Sequence, residues 1–213
     1  VTGDVVTENT NEGTDTVRSA ITYTAGSNVE NVTLTGTTAI NATGNTLNNV
    51  LTGNSANNTL TGDAGNDTLD GGTGTDTDTL TGGIGNDTYV FNRGYGQDIV
   101  SENDPTAGSS DTAQVGVNAL DLTLSRSGNN LILNLHGGTD TLTVQNWYTG
   151  SQYQTEVIKA QDGSTLTNTQ VDQLIQAMAT FSASHGGISW DQAITQNPNE
   201  VQAVLTAYWQ PAA

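Results

Sequence analysis

Four aspartates, Asp67, Asp76, Asp87 and Asp98, recur down the middle of the chain at intervals of nine or eleven residues, each closing a short run rich in Gly and Asn. Carboxylates repeated in phase among flexible residues suit one chemistry above others, the holding of a hard cation by oxygen atoms, because backbone carbonyls beside a tight turn can supply the remaining ligands. Other chemistries lack their residues. With no Cys there is no disulfide, cysteine zinc site, iron–sulfur cluster or thiol nucleophile. No G-x-S-x-G elbow, H-E-x-x-H pair or phosphate loop occurs, and both histidines, His136 and His185, precede Gly-Gly in what read as turns. The chain is therefore read as non-catalytic.

The aspartates sit in a repeat. Read in nines from Gly44, the chain gives GNTLNNVLT, GNSANNTLT, GDAGNDTLD, then GGTGTDTDTLT with two extra residues, then GGIGNDTYV, and a variant GYGQDIV at Gly94. The sixth position reads Asn49, Asn58, Asp67, Asp76, Asp87 and Asp98, and the apolar eighth reads Leu51, Leu60, Leu69, Leu80, Tyr89 and Val100. The Gly/Asn/Asp half of each unit suits a turn, and the Thr-Leu-Thr half suits a short strand with one side chain pointing inward. Two units make one coil, which stacks Asp67 and Asp87 on one edge after Asn49, and Asp76 and Asp98 on the other after Asn58. The insertion Thr77-Asp78 leaves open whether Asp76 or Asp78 holds the stacked position. Carboxylates stacked at a strand spacing of roughly 4.8 Å repel one another unless a cation lies between them.

Composition agrees with this reliance on metal. Leu, Ile, Val and Phe are 43 of 213 residues, and Lys+Arg number 4 against 22 Asp+Glu, a net charge of −18. So few apolar groups and so much charge place the chain at the edge of disorder. The acidity also excludes nucleic-acid backbones as partners, and no run is long or apolar enough for a membrane span.

These units resemble the RTX, or haemolysin-type calcium-binding, nonapeptide G-G-x-G-x-D-x-U-x. The resemblance implies a mainly β fold, a right-handed parallel β-roll with a β cap and a short C-terminal helical segment, holding several Ca²⁺ ions between successive turns. Carried over by position, it implies ligand loops from Asp63, Gly65 and Asp67 with Gly82, Gly83, Gly85 and Asp87 on one edge. On the other edge it implies Gly71, Gly72, Gly74 and Asp76, or Asp78, with Gly96 and Asp98. The first two units depart from the pattern: Asn replaces Asp at the sixth position and Leu47 and Ala56 replace the fourth Gly. Calcium sites there are expected to be weak or absent, the Asn side chains forming a ladder.

The flanks give the organisation. Asp4-Val5-Val6-Thr7-Glu8-Asn9 recurs as Asp98-Ile99-Val100-Ser101-Glu102-Asn103, and Asp15-Thr16-Val17 as Asp111-Thr112-Ala113. Residues 1–43 are thus expected to end a preceding repeat block, with 44–111 as the roll, and Glu102 and Asp111, ahead of Glu8 and Asp15, as further metal ligands. Residues 112–166 read as a β capping region: Leu122 and Leu124 alternate with Leu120 before a Gly128-Asn129-Asn130 turn, Leu131, Leu133 and Leu135 return, and Leu142 and Val144 resume the pattern. This stretch also resembles the region that follows RTX repeats in many family members. Residues 167–213 read as helical, with capping boxes at Thr167–Gln170 and Ser189–Gln192 and an Asn197-Pro198 start.

No Lys or Arg follows Lys159. By position and composition, this last segment resembles the uncleaved signal read by type I secretion machinery. The chain begins Val1-Thr2-Gly3-Asp4 without Met, and is expected to belong to a larger multi-repeat protein, secreted or on a bacterial cell surface. A surface adhesin or surface-layer-like protein is favoured by the recurrence. A secreted protease, lipase or toxin with its catalytic domain upstream is the alternative, and an adhesive surface formed by outward threonines such as Thr59, Thr68 and Thr88 is another. Ice is disfavoured as a ligand, because the third loop position reads Ala64, Thr73, Ile84, which is no regular array.

Overall fold

The computed structural model describes residues 6–9 and 13–212. Asp4 and Val5 of the N-terminal recurrence lie outside the described residues. Eleven short strands carry the chain back and forth: β1 (Thr16–Ser19), β2 (Tyr23–Thr24), β3 (Asn31–Leu34), β4 (Ala42–Thr43), β5 (Val50–Thr52), β6 (Thr59–Ala64), β7 (Thr68–Asp70), β8 (Thr79–Ile84), β9 (Thr88–Phe91), β10 (Gln97–Val100) and β11 (Thr112–Val115). Odd strands build one sheet and even strands the other, and within each sheet neighbours pair in parallel. This is what a nine-residue turn–strand unit dictates. Each strand is too short to bury a surface alone, and two units return the chain to the same sheet one rung further on.

Register places the eighth-position residues above one another. Leu51, Leu69, Tyr89 and Ala113 form one column, and Ala42, Leu60, Leu80 and Val100 form the facing one. All eight are buried. Each buried Leu contributes about 1.5–3 kcal/mol, yet the strands from β4 to β8 each bury a single apolar side chain, Ala42, Leu51, Leu60, Leu69 and Leu80, so the apolar core is thin there. The pairing continues through residues 43 and 44 without change, β4 pairing with both β2 and β6.

Both sheets are then extended by the cap. The hairpin β12 (Leu122–Ser127) and β13 (Asn130–Leu135) leads to β14 (Thr141–Val144), which pairs antiparallel with β13 and parallel with β10. On the other sheet β15 (Val157–Lys159) joins β11 in parallel, and β16 (Thr165–Thr167) closes it antiparallel. These additions pair the backbone edges that β10 and β11 would otherwise expose. Leu120, expected in the first cap strand, falls instead in a single 3₁₀ turn, Ala119–Asp121, where Asp121 N–H bonds the Asn118 carbonyl at 2.9 Å.

Three helices follow, α1 (Asn168–Ser184), α2 (Trp190–Gln196) and α3 (Pro198–Thr206). At the start of α1 the Gln170 side chain accepts the Thr167 N–H, and at α2 Ser189 Oγ accepts the Gln192 N–H while Gln192 Oε1 accepts the Ser189 N–H. Val171, Leu174 and Met178 bury one face of α1, and Val201 and Leu205 one face of α3. The architecture is mainly β: parallel strands in two sheets that fit a β-roll, a β cap and a short helical C-terminal segment.

Candidate metal centre

At the bends of the roll one acidic side chain per coil turns inward between the sheets. Asp67, Asp87 and Asp111 line one edge and Asp78 and Asp98 the other, none more than 1 % exposed. One carboxylate oxygen of each reaches the coil before it. Asp67 Oδ1 accepts the Asn49 N–H at 2.6 Å, Asp87 Oδ1 the Asp67 N–H at 2.8 Å, and Asp111 Oδ1 the Asp87 N–H at 2.8 Å. Across the roll, Asp78 Oδ1 accepts the Asn58 N–H at 2.7 Å and Asp98 Oδ1 the Asp78 N–H at 2.9 Å. The result is a ladder on each edge in which the carboxylates are linked through backbone amides.

The second oxygen decides what the ladder can do. Asp67 Oδ2, Asp78 Oδ2, Asp87 Oδ2 and Asp98 Oδ2 are buried and receive no hydrogen bond. Among the described residues, no Lys, Arg or His pairs with a ladder carboxylate. A buried acceptor left without a donor costs about 1–3 kcal/mol, more when charged, so an array of them has an unmet need for positive charge. The glycines show where that charge fits. A Cβ at Gly62 would run into both Asp67 Oδ2 and the Gly82 carbonyl oxygen, so these two oxygens face each other across a space that only glycine leaves open. At Gly85, where φ is +143°, a Cβ would collide with the Gly65 carbonyl. The donor set, carboxylate plus carbonyl oxygens with neither nitrogen nor sulfur, is that of Ca²⁺. Among the described residues, no three acidic or His side chains could hold an ion by themselves. An ion held here would need the carbonyls of the bends to complete its coordination.

Electrostatics gives the same answer. Burial, reinforced by the charges of Asp87 and Asp63, pushes Asp67 up to about 6. Burial, with Asp98 and Asp76 nearby, pushes Asp78 up to about 8, and burial, with Asp76, Asp70 and Asp140 nearby, pushes Asp98 up to about 7. At the end of the first edge, burial and the neighbouring Asp87, Glu156 and Asp104 raise Asp111 to about 7, while burial and Asp111 raise Glu102 to about 8. In the metal-free molecule these carboxylates resist ionisation.

Several residues named from sequence take other places. Asp78 occupies the stacked position, and Asp76, expected there, lies beside it, half-buried, with neither carboxylate oxygen hydrogen-bonded. The two-residue insertion is accommodated in the 71–78 loop before Asp78, and the chain re-enters phase in time for Leu80 to stay in its column. The Asp63 side chain is exposed, and its carbonyl oxygen is what approaches Gly83 of the next bend. Gly65, Gly71, Gly72, Gly74, Gly85 and Gly96 lie in the bends and Gly82 and Gly83 near the end of β8, and at each an added Cβ would strike backbone or carboxylate atoms of the same or a neighbouring turn. Glu102 is buried beside the Asp87–Asp111 step and accepts the Tyr89 hydroxyl.

Three acidic residues outside the repeats extend the ladders. Glu156 Oε2 accepts the Asp111 N–H at 2.8 Å, Asp104 Oδ2 accepts the Gly85 N–H at 3.1 Å, and Asp140 accepts the Gly94 and Gly96 N–H groups at 3.0 and 3.1 Å. No repeat phase marks them in the sequence, since they come from the cap and from the long 102–111 turn.

Residues 43–77 and 78–97 match the family model of the RTX calcium-binding nonapeptide repeat. The chain carries RTX calcium-binding repeats. Such repeats bind Ca²⁺, and the matching residues include Asp67, Asp78 and Asp87, whose second carboxylate oxygens receive no hydrogen bond. Residues 130–170 match a second model, the haemolysin-type calcium binding protein related domain, which overlaps the cap from β13 to the first turn of α1. No curated protein matches the chain.

Proposed function

We propose that this RTX calcium-binding chain is a non-catalytic folding module of a larger exported bacterial protein, an adhesin or surface-layer-like protein, which crosses a type I secretion system unfolded and coils on meeting extracellular calcium. The observation that carries this reading is the row of buried carboxylate oxygens without donors at Asp67, Asp78, Asp87 and Asp98. When bound, Ca²⁺ supplies the positive charge and the demand for six to eight oxygens. The ladder aspartates would hold it with the carbonyls of the facing bends, while Glu102, Asp104, Asp111 and Glu156 would extend the series at one end.

Without metal, a thin core set against a charge of −18 leaves little to offset the chain's conformational entropy. Metal-binding free energy then becomes folding free energy. Extracellular modules of this kind bind calcium at about 10⁻⁴–10⁻³ M, too weakly to load in a calcium-poor cytosol, which supports folding after export. The lightly charged segment from Thr167 onward is the part assigned to the exporter. No helix among the described residues is long and apolar enough to cross a membrane.

Far-ultraviolet circular dichroism of the purified chain during calcium titration tests the folding switch. The β-sheet signal should rise steeply with calcium and fall on adding chelator. A spectrum that is identical in calcium and in excess chelator refutes it. Removing residues 167–213 should abolish export by a type I system, and undiminished export would refute that assignment.

A further inference from the structure

The first two repeat units solve at their bends, with side-chain amides, the problem that the later units leave to a metal. Asn45 Nδ2 lies where two backbone carbonyls of the preceding coil converge, donating to Gly26 O and Val29 O at 2.8 Å each. Asn49 Nδ2 donates to Val29 O and Glu30 O at 3.0 and 3.1 Å. On the opposite edge Asn54 Nδ2 donates to Thr38 O at 3.0 Å and Thr35 O at 3.4 Å, and Asn58 Nδ2 to Ile40 O at 2.5 Å. The amide oxygens are occupied as well: Asn49 Oδ1 accepts the Asn45 N–H and Asn58 Oδ1 the Asn54 N–H, both at 2.7 Å. Carbonyls only accept, so an NH₂ facing a carbonyl pair is the orientation that chemistry requires.

The contrast with the later units is complete. There the second position is Asp63, Gly72 or Gly83, which carries no NH₂, and the sixth is Asp, whose second oxygen is buried without a donor. Asn appears at the second and sixth positions together in both early units and at neither position from Asp63 to Asp98. The pair acts as a unit: both NH₂ groups reach back to the previous coil, while the Asn49 and Asn58 side-chain oxygens lock the local turn. A carboxylate cannot replace it, because it has no proton to offer a carbonyl.

We propose that the Asn45/Asn49 and Asn54/Asn58 amides take the place of a cation, so that the coils up to β5 close without calcium and the metal-dependent part of the roll begins at Asp67 and Asp78. This deepens the calcium-folding reading and rests on it. In chelator the coils that hold Val29, Val32, Leu34, Ile40, Ala42 and Leu51 stay wound and present a formed edge. The later coils add to that edge when calcium arrives.

Hydrogen exchange on the full chain, with calcium and with excess chelator, reads this directly, alongside the variant N49D/N58D. In the wild type, β3 and β5 should keep protection in chelator while β8, β9 and β10 lose it by tenfold or more. In the variant, β3 and β5 should become calcium-dependent too, with protection in chelator falling at least tenfold below the wild type. Uniform loss of protection in wild-type chelator samples overturns the boundary but leaves calcium-driven folding intact. Protection of β3 and β5 that is unchanged in the variant overturns the role of the amides. No effect of calcium on any strand overturns the folding reading itself, and the boundary with it.

Discussion

Replacing Asp87 by Asn removes one charge from the ladder while keeping an oxygen to accept the Asp67 N–H, now made by Asp87 Oδ1 at 2.8 Å. Asp87 stands between two bends, because its own N–H is given to Asp111 Oδ1. Its loss as a ligand should therefore weaken the ions on both sides. An ion held at about 1 mM and supplied at about 10 mM stabilises the folded state by about 1.4 kcal/mol. Two such ions come to about 3 kcal/mol, or roughly 6–12 °C in Tm for a chain of this size. In chelator the sign reverses. The wild-type carboxylate is buried, with an oxygen that receives no hydrogen bond, and burial with the nearby Asp104 raises its pKa. The neutral amide removes that burden, so the variant should melt at the same temperature as the wild type or above it. The assay is thermal melting by circular dichroism at 10 mM calcium and in excess chelator, with Asp121→Asn as control, since Asp121 pairs only loosely with Arg93 at 4.0 Å on the surface. Equal destabilisation of Asp87→Asn in both conditions would refute the reasoning and make Asp87 a purely structural residue.

Leu69→Ala hollows the core column at a fully buried position; it should cost about 2–5 kcal/mol and, unlike Asp87→Asn, lower the melting temperature in chelator as well as with calcium present. Gly85→Ala places a methyl against the Gly65 carbonyl at a φ of +143°, so calcium titration should show a higher midpoint, while Gly137→Ala, strained at a φ of +80° but with open space around it, should raise that midpoint less. In the metal-free state Asp67 is raised to about 6, Asp98 and Asp111 to about 7 and Asp78 to about 8, above the ordinary carboxylate value of 3.8, and Asp87 is raised as well. The stability this gives is fully present below pH 4 and is lost as pH rises through 6 to 8. In chelator the roll should thus melt higher at pH 5 than at pH 8, and with calcium the midpoint should rise as pH falls, because ions and protons compete for the same oxygens.

How much of this was legible in the sequence follows from where repetition ends. The phase of Asp67, Asp87 and Asp98 against Leu69, Tyr89 and Val100 was plain because each coil restates it, and the alternating Leu pairs of the cap hairpin were equally clear. The insertion hid the choice between Asp76 and Asp78. A signal existed, since Asp78-Thr79-Leu80 keeps the two-residue step from acid to apolar that Asp67-Thr68-Leu69 shows. Glu156, Asp104 and Asp140 were not legible: each meets the ladder over 19 to 46 residues of separation, through strand order that composition does not encode. The Asn ladder was visible as a departure from the pattern, but its donors could be matched to the carbonyls of Gly26, Val29 and Thr38 only once the coils were stacked.

Because Asp67, Asp78, Asp87 and Asp111 each accept an amide from the rung behind and offer their own to a carboxylate ahead, neighbouring bends share a wall. An ion bound at one would fix part of the lining of the next, so nearest-neighbour coupling of the kind that governs linear arrays is expected along each edge. A row built this way should respond to calcium more sharply than any of its members would in isolation, and adding rungs should steepen the response without tightening a single site.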